Sequence, residues 1–136
     1  MMPSHQTMIH FYQHLGKLFY SFASVDNTVR KEEIAQLNEI VKKEWLPLEN
    51  SFSEFGDDSA YQIEIVFDWL VENDWNIGEI ITEFEGFKKE HPSLFTPEIN
   101  DLILKTAKAI TNSFSGKNKP ESVLIDKLRG VLYQEH

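Results

Sequence analysis

Apolar residues recur at intervals of three and four along most of this chain, and no β-branched alternating stretch competes with them. That periodicity confines the fold to packed helices. Ile9, Phe11, Tyr12, Leu15, Leu18, Phe19 and Phe22 predict a first helix from about Ser4 to Ser24. Gly16 lies inside it, where glycine costs about 1 kcal/mol relative to alanine. It can instead admit a neighbouring helix at close range. Ile34, Leu37, Ile40 and Val41 predict a second helix over about Lys31 to Trp45, with Pro47 as its stop. Glu39 precedes Lys43 by four residues there, the favourable order for a surface ion pair. Leu48 to Gly56 is expected to be a polar connection with Phe52 and Phe55 turned inward.

Asp57, Asp58 and Ser59 offer caps for a third helix, from about Ser59 to Asn73. Ile63, Val66, Phe67 and Leu70 form its stripe, and Ile65, Trp69 and Val71 are expected to extend burial well around the cylinder. A helix of that kind is expected at the centre of a bundle. Its polar remainder is an acidic ridge, Glu64, Asp68 and Glu72, in which like charges four apart cost a few tenths of a kcal/mol per pair. Asn76 caps a fourth helix carrying Ile77, Ile80, Ile81, Phe84 and Phe87, which His91-Pro92 ends. Thr96-Pro97-Glu98 starts a fifth by joining a cap, a proline at the first position and an early acid. Ile99, Leu102, Ile103, Ala107 and Ile110 are its buried face. Pro120-Glu121 opens the last helix, with Val123, Leu124, Leu128, Val131 and Leu132 inward.

The expected fold is therefore all-α, a single-domain bundle of about six helices over residues 1–136. A chain of 136 residues buries enough surface to need no disulfide or metal staple. A helix, a polar corner, an acidic first turn and a second helix occur at Leu18 to Val41 and again at about Ile103 to Val131. That echo is architectural, because the apolar positions after the corners do not keep one offset.

Charge and residue usage narrow the chemistry. Cysteine is absent, which excludes thiolate zinc sites and thiol nucleophiles. The net charge is -9, with 22 acidic against 13 basic residues, and Arg30 and Arg129 are the only arginines. Nucleic acid binding depends on clustered Lys and Arg, so neither nucleic acid nor an anionic membrane is an expected partner. No apolar run approaches a membrane span, and the first residues carry no secretory signal, so membrane insertion is not expected and a cytoplasmic location is. His10 and His14 are four apart, but no Glu follows His10 as a zincin helix requires. An EF-hand fails because Arg30 and Lys31 take the fifth and sixth loop places after Asp26. No nucleophile motif is present. The aromatic residues, Trp45, Trp69 and Trp75 among them, are expected in the core. The ridge of Glu64, Asp68 and Glu72, with Asp57 and Asp58 before it, is either a solvated face or a surface for a basic partner, Mg²⁺ or Ca²⁺. Asp26 is either a cation ligand or the residue whose side chain closes the corner onto nearby N–H groups.

Ala23-Ser24-Val25-Asp26-Asn27-Thr28-Val29-Arg30-Lys31-Glu32-Glu33-Ile34, with Leu18-Phe19-Tyr20 before it and Leu37 after, resembles the signature corner of the tellurite-resistance TerB-like family. Asn27 stands where glycine is usual, Arg30 where a Ser or Thr cap is common, and Ser115 where the second corner would carry an aspartate. The resemblance implies an all-α domain with a helical pseudo-repeat. A divalent-cation site carried over from it, for Ca²⁺ or Mg²⁺, draws on Asp26 with Glu32 or Glu33. It also implies a non-enzymatic, stress-associated binding or scaffold module whose partner is another protein. The alternative is an acidic decoy or immunity-type protein that covers a basic partner surface.

Overall fold

The computed structural model describes residues 5–24, 31–48, 59–73, 80–111 and 119–133. Every regular element among them is helical. Six α-helices follow in order: α1 His5–Ala23, α2 Lys31–Ile40, α3 Gln62–Asn73, α4 Ile80–Glu90, α5 Pro97–Thr111 and α6 Lys119–Leu132. A π turn, Val41–Trp45, continues α2, and short 3-10 turns, Ser59–Tyr61 and Pro92–Leu94, lead into α3 and follow α4. The all-α expectation holds. Both corners, the cap at Asn76, and Phe52, Phe55 and Trp75 lie outside the described residues.

The central helix is α1, not the third helix as its composition suggested. It packs most extensively against α3, through Gln13, Gly16 and Tyr20 among others, and also meets α4 and α5. Residues 19 through 23 are all buried, so its last turn is enclosed on every side. By contrast α3 buries Ile63, Phe67 and Leu70, while Ile65 is 55% and Trp69 50% exposed. The reason is angular. At about 100° per residue, Ile65 and Trp69 lie roughly 200° around the cylinder from Ile63 and Phe67. Once α1 covers one side of α3, they face out.

Two local features bring α1 close to its neighbours. At Gly16 the helices nearly touch: a Cβ there would stand 2.8 Å from the carbonyl oxygen of Ile63 and 2.9 Å from Cβ of Val66. Glycine's missing side chain sets that crossing. On another side, Phe11 stacks on Phe87 at 6.2 Å and meets Phe95 edge-on at 5.5 Å, so aromatic rings join α1, α4 and the 3-10 turn that precedes α5. One core cluster draws buried side chains from all six helices.

Pro47 does not stop the second helical segment. The coil runs through the π turn and Pro47 to Leu48. A proline inside an α-helix crowds the carbonyl four residues back and supplies no N–H to it. Here Leu46 N–H bonds Val41 O, a five-residue step that opens the coil just before the ring. Trp45, in that turn, is fully buried.

At the other end of the fold the local signals held. Ile99 N–H donates to Thr96 Oγ1 at 3.2 Å, the cap that Thr96-Pro97 announces. Asn100 Nδ2 donates to Leu132 O at 3.1 Å, tying the first turn of α5 to the last turn of α6. The two helices are therefore antiparallel. Tyr133 donates its hydroxyl to the Asp101 carboxylate beside that tie.

Candidate protein-interaction face

The outward side of α3 carries two parallel rows. Glu64, Asp68 and Glu72 form one, at successive turns, and Ile65 and Trp69 form the other, one residue further on. A row stepping by four residues rises about 6 Å per step, so the acids span roughly 12 Å. Asn73 Nδ2 donates to the carbonyl oxygen of Trp69 at 2.7 Å, fixing the backbone at the end of the helix.

The acids crowd one another. Partial burial raises the pKa of Glu64, and the neighbouring Asp68 charge raises it further, while Lys42 acts the other way. Asp68 is raised by desolvation and by Glu72. There is no basic residue in α3 itself, so none offsets its C-terminal dipole. Lys42 is the lysine whose charge reaches Glu64, whereas Lys43 pairs with Glu39 at 2.6 Å, as its spacing predicts, and Lys105 with Glu44 at 2.6 Å. Negative potential therefore collects along the acid row, beside exposed apolar surface.

A stability measurement can read this crowding. Because folding raises these pKa values, the folded state prefers the neutral acids, and their contribution weakens as pH rises through the carboxylate range. Asp68→Asn is expected to stabilise the fold by about 0.2–0.5 kcal/mol for each repulsive pair it relieves. Urea melts at neutral pH check it, and a loss of stability would show that the row is not in mutual repulsion.

Other candidate residues are distributed differently. Asp57 and Asp58 lie outside the described residues, as does Asp26. Glu32 is exposed, whereas its neighbour Glu33 is fully buried in the first turn of α2, so the two carboxylates face different surroundings. Among the described residues no three His, Asp or Glu side chains converge to hold a metal ion. The sequence reading placed Ile65 and Trp69 in the core and so missed half of this face. The signal was their 200° offset from the stripe of Ile63, Phe67 and Leu70.

His10 is exposed, and His14 is half-buried with its ring 4.6 Å from that of Phe87, which in turn lies 4.7 Å from His91. Burial depresses the pKa of His14, and Lys17 and His10 add to that, against Glu83 and Glu90. An unfolded His14 takes up its proton as pH falls through about 6.5 while the folded one resists, so stability is lost as pH falls below that value. Replacing it in His14→Gln is expected to shrink the drop in denaturation midpoint between about pH 7.5 and pH 5.5. An unchanged drop would assign the acid sensitivity to other groups.

No family model, curated protein or solved structure matches the chain. Among the described residues no helix is long and apolar enough to cross a membrane.

Proposed function

We propose that this chain is a non-enzymatic helical interaction module that binds a protein with a basic surface through the outward face of α3. The observation that carries the reading is the exposure of Ile65 and Trp69 directly beside the row of Glu64, Asp68 and Glu72. A carboxylate row alone is satisfied by water. A tryptophan and an isoleucine one turn apart on the same side supply apolar area that a partner can bury. The corner at residues 23–34 supports a TerB-like, stress-associated setting for such a module. An immunity-type role uses the same acidic row but asks less of the two apolar residues, so salt separates the two.

Pull-downs with the wild type, Asp68→Lys and Trp69→Ala test the reading. Both substitutions lie on the exposed face, so both variants are expected to stay folded. A partner bound through the whole face is lost with either variant and is weakened, not released, between about 0.1 and 0.5 M salt. A partner that ignores Trp69→Ala and is released by salt identifies the charge-covering role. One that ignores both substitutions removes α3 from the binding surface.

A further inference from the structure

Resting on that reading, we infer that the partner element seated on α3 is a basic amphipathic helix, lying antiparallel to it. The geometry of the two rows points there. In an extended strand successive side chains point to opposite faces, so the side turned toward α3 presents a single row. The α3 face offers two different rows side by side. An amphipathic helix matches both at the border between its apolar and its basic stripe, where residues four apart and their immediate neighbours form two parallel rows. Spacing agrees: a partner helix repeats its rows every 6 Å or so, in step with Glu64, Asp68 and Glu72. A strand repeats at roughly 6.7 Å and slips by more than an ångström over the three acids.

The backbone of α3 leads to the same partner. Inside a helix its N–H and C=O groups bond to one another, so this face has no open edge onto which a strand could add. A helix brings its own backbone bonds and needs only side-chain complementarity. Lysines or arginines spaced by four answer the acid row, and apolar residues spaced by four cover Ile65 and Trp69. Orientation follows from charge. The C-terminal end of α3 has no basic residue in its last turn, so the positive N-terminal end of a partner helix belongs over it. A second copy of this chain is disfavoured on that face because its own acid row would meet this one.

The test uses three synthetic peptides of about 18 residues, long enough to form helix on binding. The first carries Leu and Lys in adjoining helical stripes. The second has the same composition, permuted so that the stripes disperse, and the third is oligolysine of equal charge. Binding to each variant is measured by titration calorimetry, which needs no reporter on α3, and helix induction by circular dichroism. The striped peptide is expected to bind at least tenfold more tightly than the other two and to gain helix. At least tenfold of that affinity is expected to be lost in Asp68→Lys and in Trp69→Ala, with none lost in Glu98→Lys on α5. Equal affinity for all three peptides, abolished by Asp68→Lys, would overturn the helix inference and leave the basic-partner reading standing. Tight binding of the striped peptide that ignores both α3 substitutions would overturn both. Concentration-dependent dimerisation abolished by Trp69→Ala would make a second copy the occupant and overturn the inference.

Discussion

Trp45→Ala is expected to lower the free energy of unfolding by about 3–5 kcal/mol, a large share of what a domain of this size has. The indole is fully buried, edge-on to Tyr12 at 6.3 Å and to Phe11 at 6.4 Å, and tilted against Phe19 at 6.4 Å. Those three rings belong to α1, the central helix. Its Nε1–H donates to Thr106 Oγ1 at 3.1 Å, and the Thr106 hydroxyl donates to Leu102 O at 2.8 Å. One side chain therefore joins the π turn, α1 and α5 through packing and through a bond. Truncation leaves a cavity between the aromatic rings of α1 and Thr106 of α5, which cannot collapse without moving one helix toward the other. Thr106→Val separates the bond from the packing: it keeps the shape and strands a buried indole N–H, at a cost of about 1–3 kcal/mol. Chemical denaturation of both variants and of the double mutant gives the coupling between them. A loss under 1 kcal/mol for Trp45→Ala would mean that the π turn does not hold the indole inside.

Trp45 also shows what the sequence could and could not disclose. Its burial was legible, since it continues the stripe of Leu37 and Val41. The route of the chain after it was not, because Pro47 is a stop signal in an ordinary helix. Only the five-residue step from Val41 to Leu46 makes room for the ring, and no composition rule announces such a step. Signals that act over three or four residues were readable for the same reason that they are local. Thr96 caps Ile99 and Glu39 pairs with Lys43, whatever packs around them. The outward face of α3 depended on something nonlocal, namely which side α1 would cover. Ile65 and Trp69 are as apolar as Ile63 and Phe67, and composition alone made them core. The acid row was visible from the start, but its apolar companion appeared only once the inner side was known. The corner residue Asp26 was conspicuous in the sequence and lies outside the described residues; the proposed face rests on α3, where the acid row and its apolar companion are both placed.

Gly16→Ala is expected to destabilise the fold by about 1–2 kcal/mol, although alanine is the better helix former by about 1 kcal/mol. Two opposing effects meet at this position, and the crossing decides the sign. The added methyl would stand 2.8 Å from Ile63 O and 2.9 Å from Cβ of Val66. Neither atom can swing away, because one is backbone and the other is fixed to it. Relief requires α3 to shift as a body, which moves Phe67 and Leu70 out of register with α1 and displaces Ile65 and Trp69 on the other side. Gly86, in α4, has nothing within 4 Å of the same position. There the same substitution keeps only the propensity gain and is expected to stabilise by about 0.5–1 kcal/mol. Identical substitutions in two helices of one protein are thus expected to have opposite signs, readable as opposite shifts of the urea midpoint at unchanged slope. Adding Val66→Ala to Gly16→Ala removes only the Val66 Cγ1 contact at 3.2 Å and leaves both the Cβ of residue 66 and the Ile63 carbonyl in place, so little of the steric part of the loss is expected to be relieved. Equal stabilisation by Gly16→Ala and Gly86→Ala would refute the close approach of α1 and α3. With it would go the covering of the inner face that turns Ile65 and Trp69 outward.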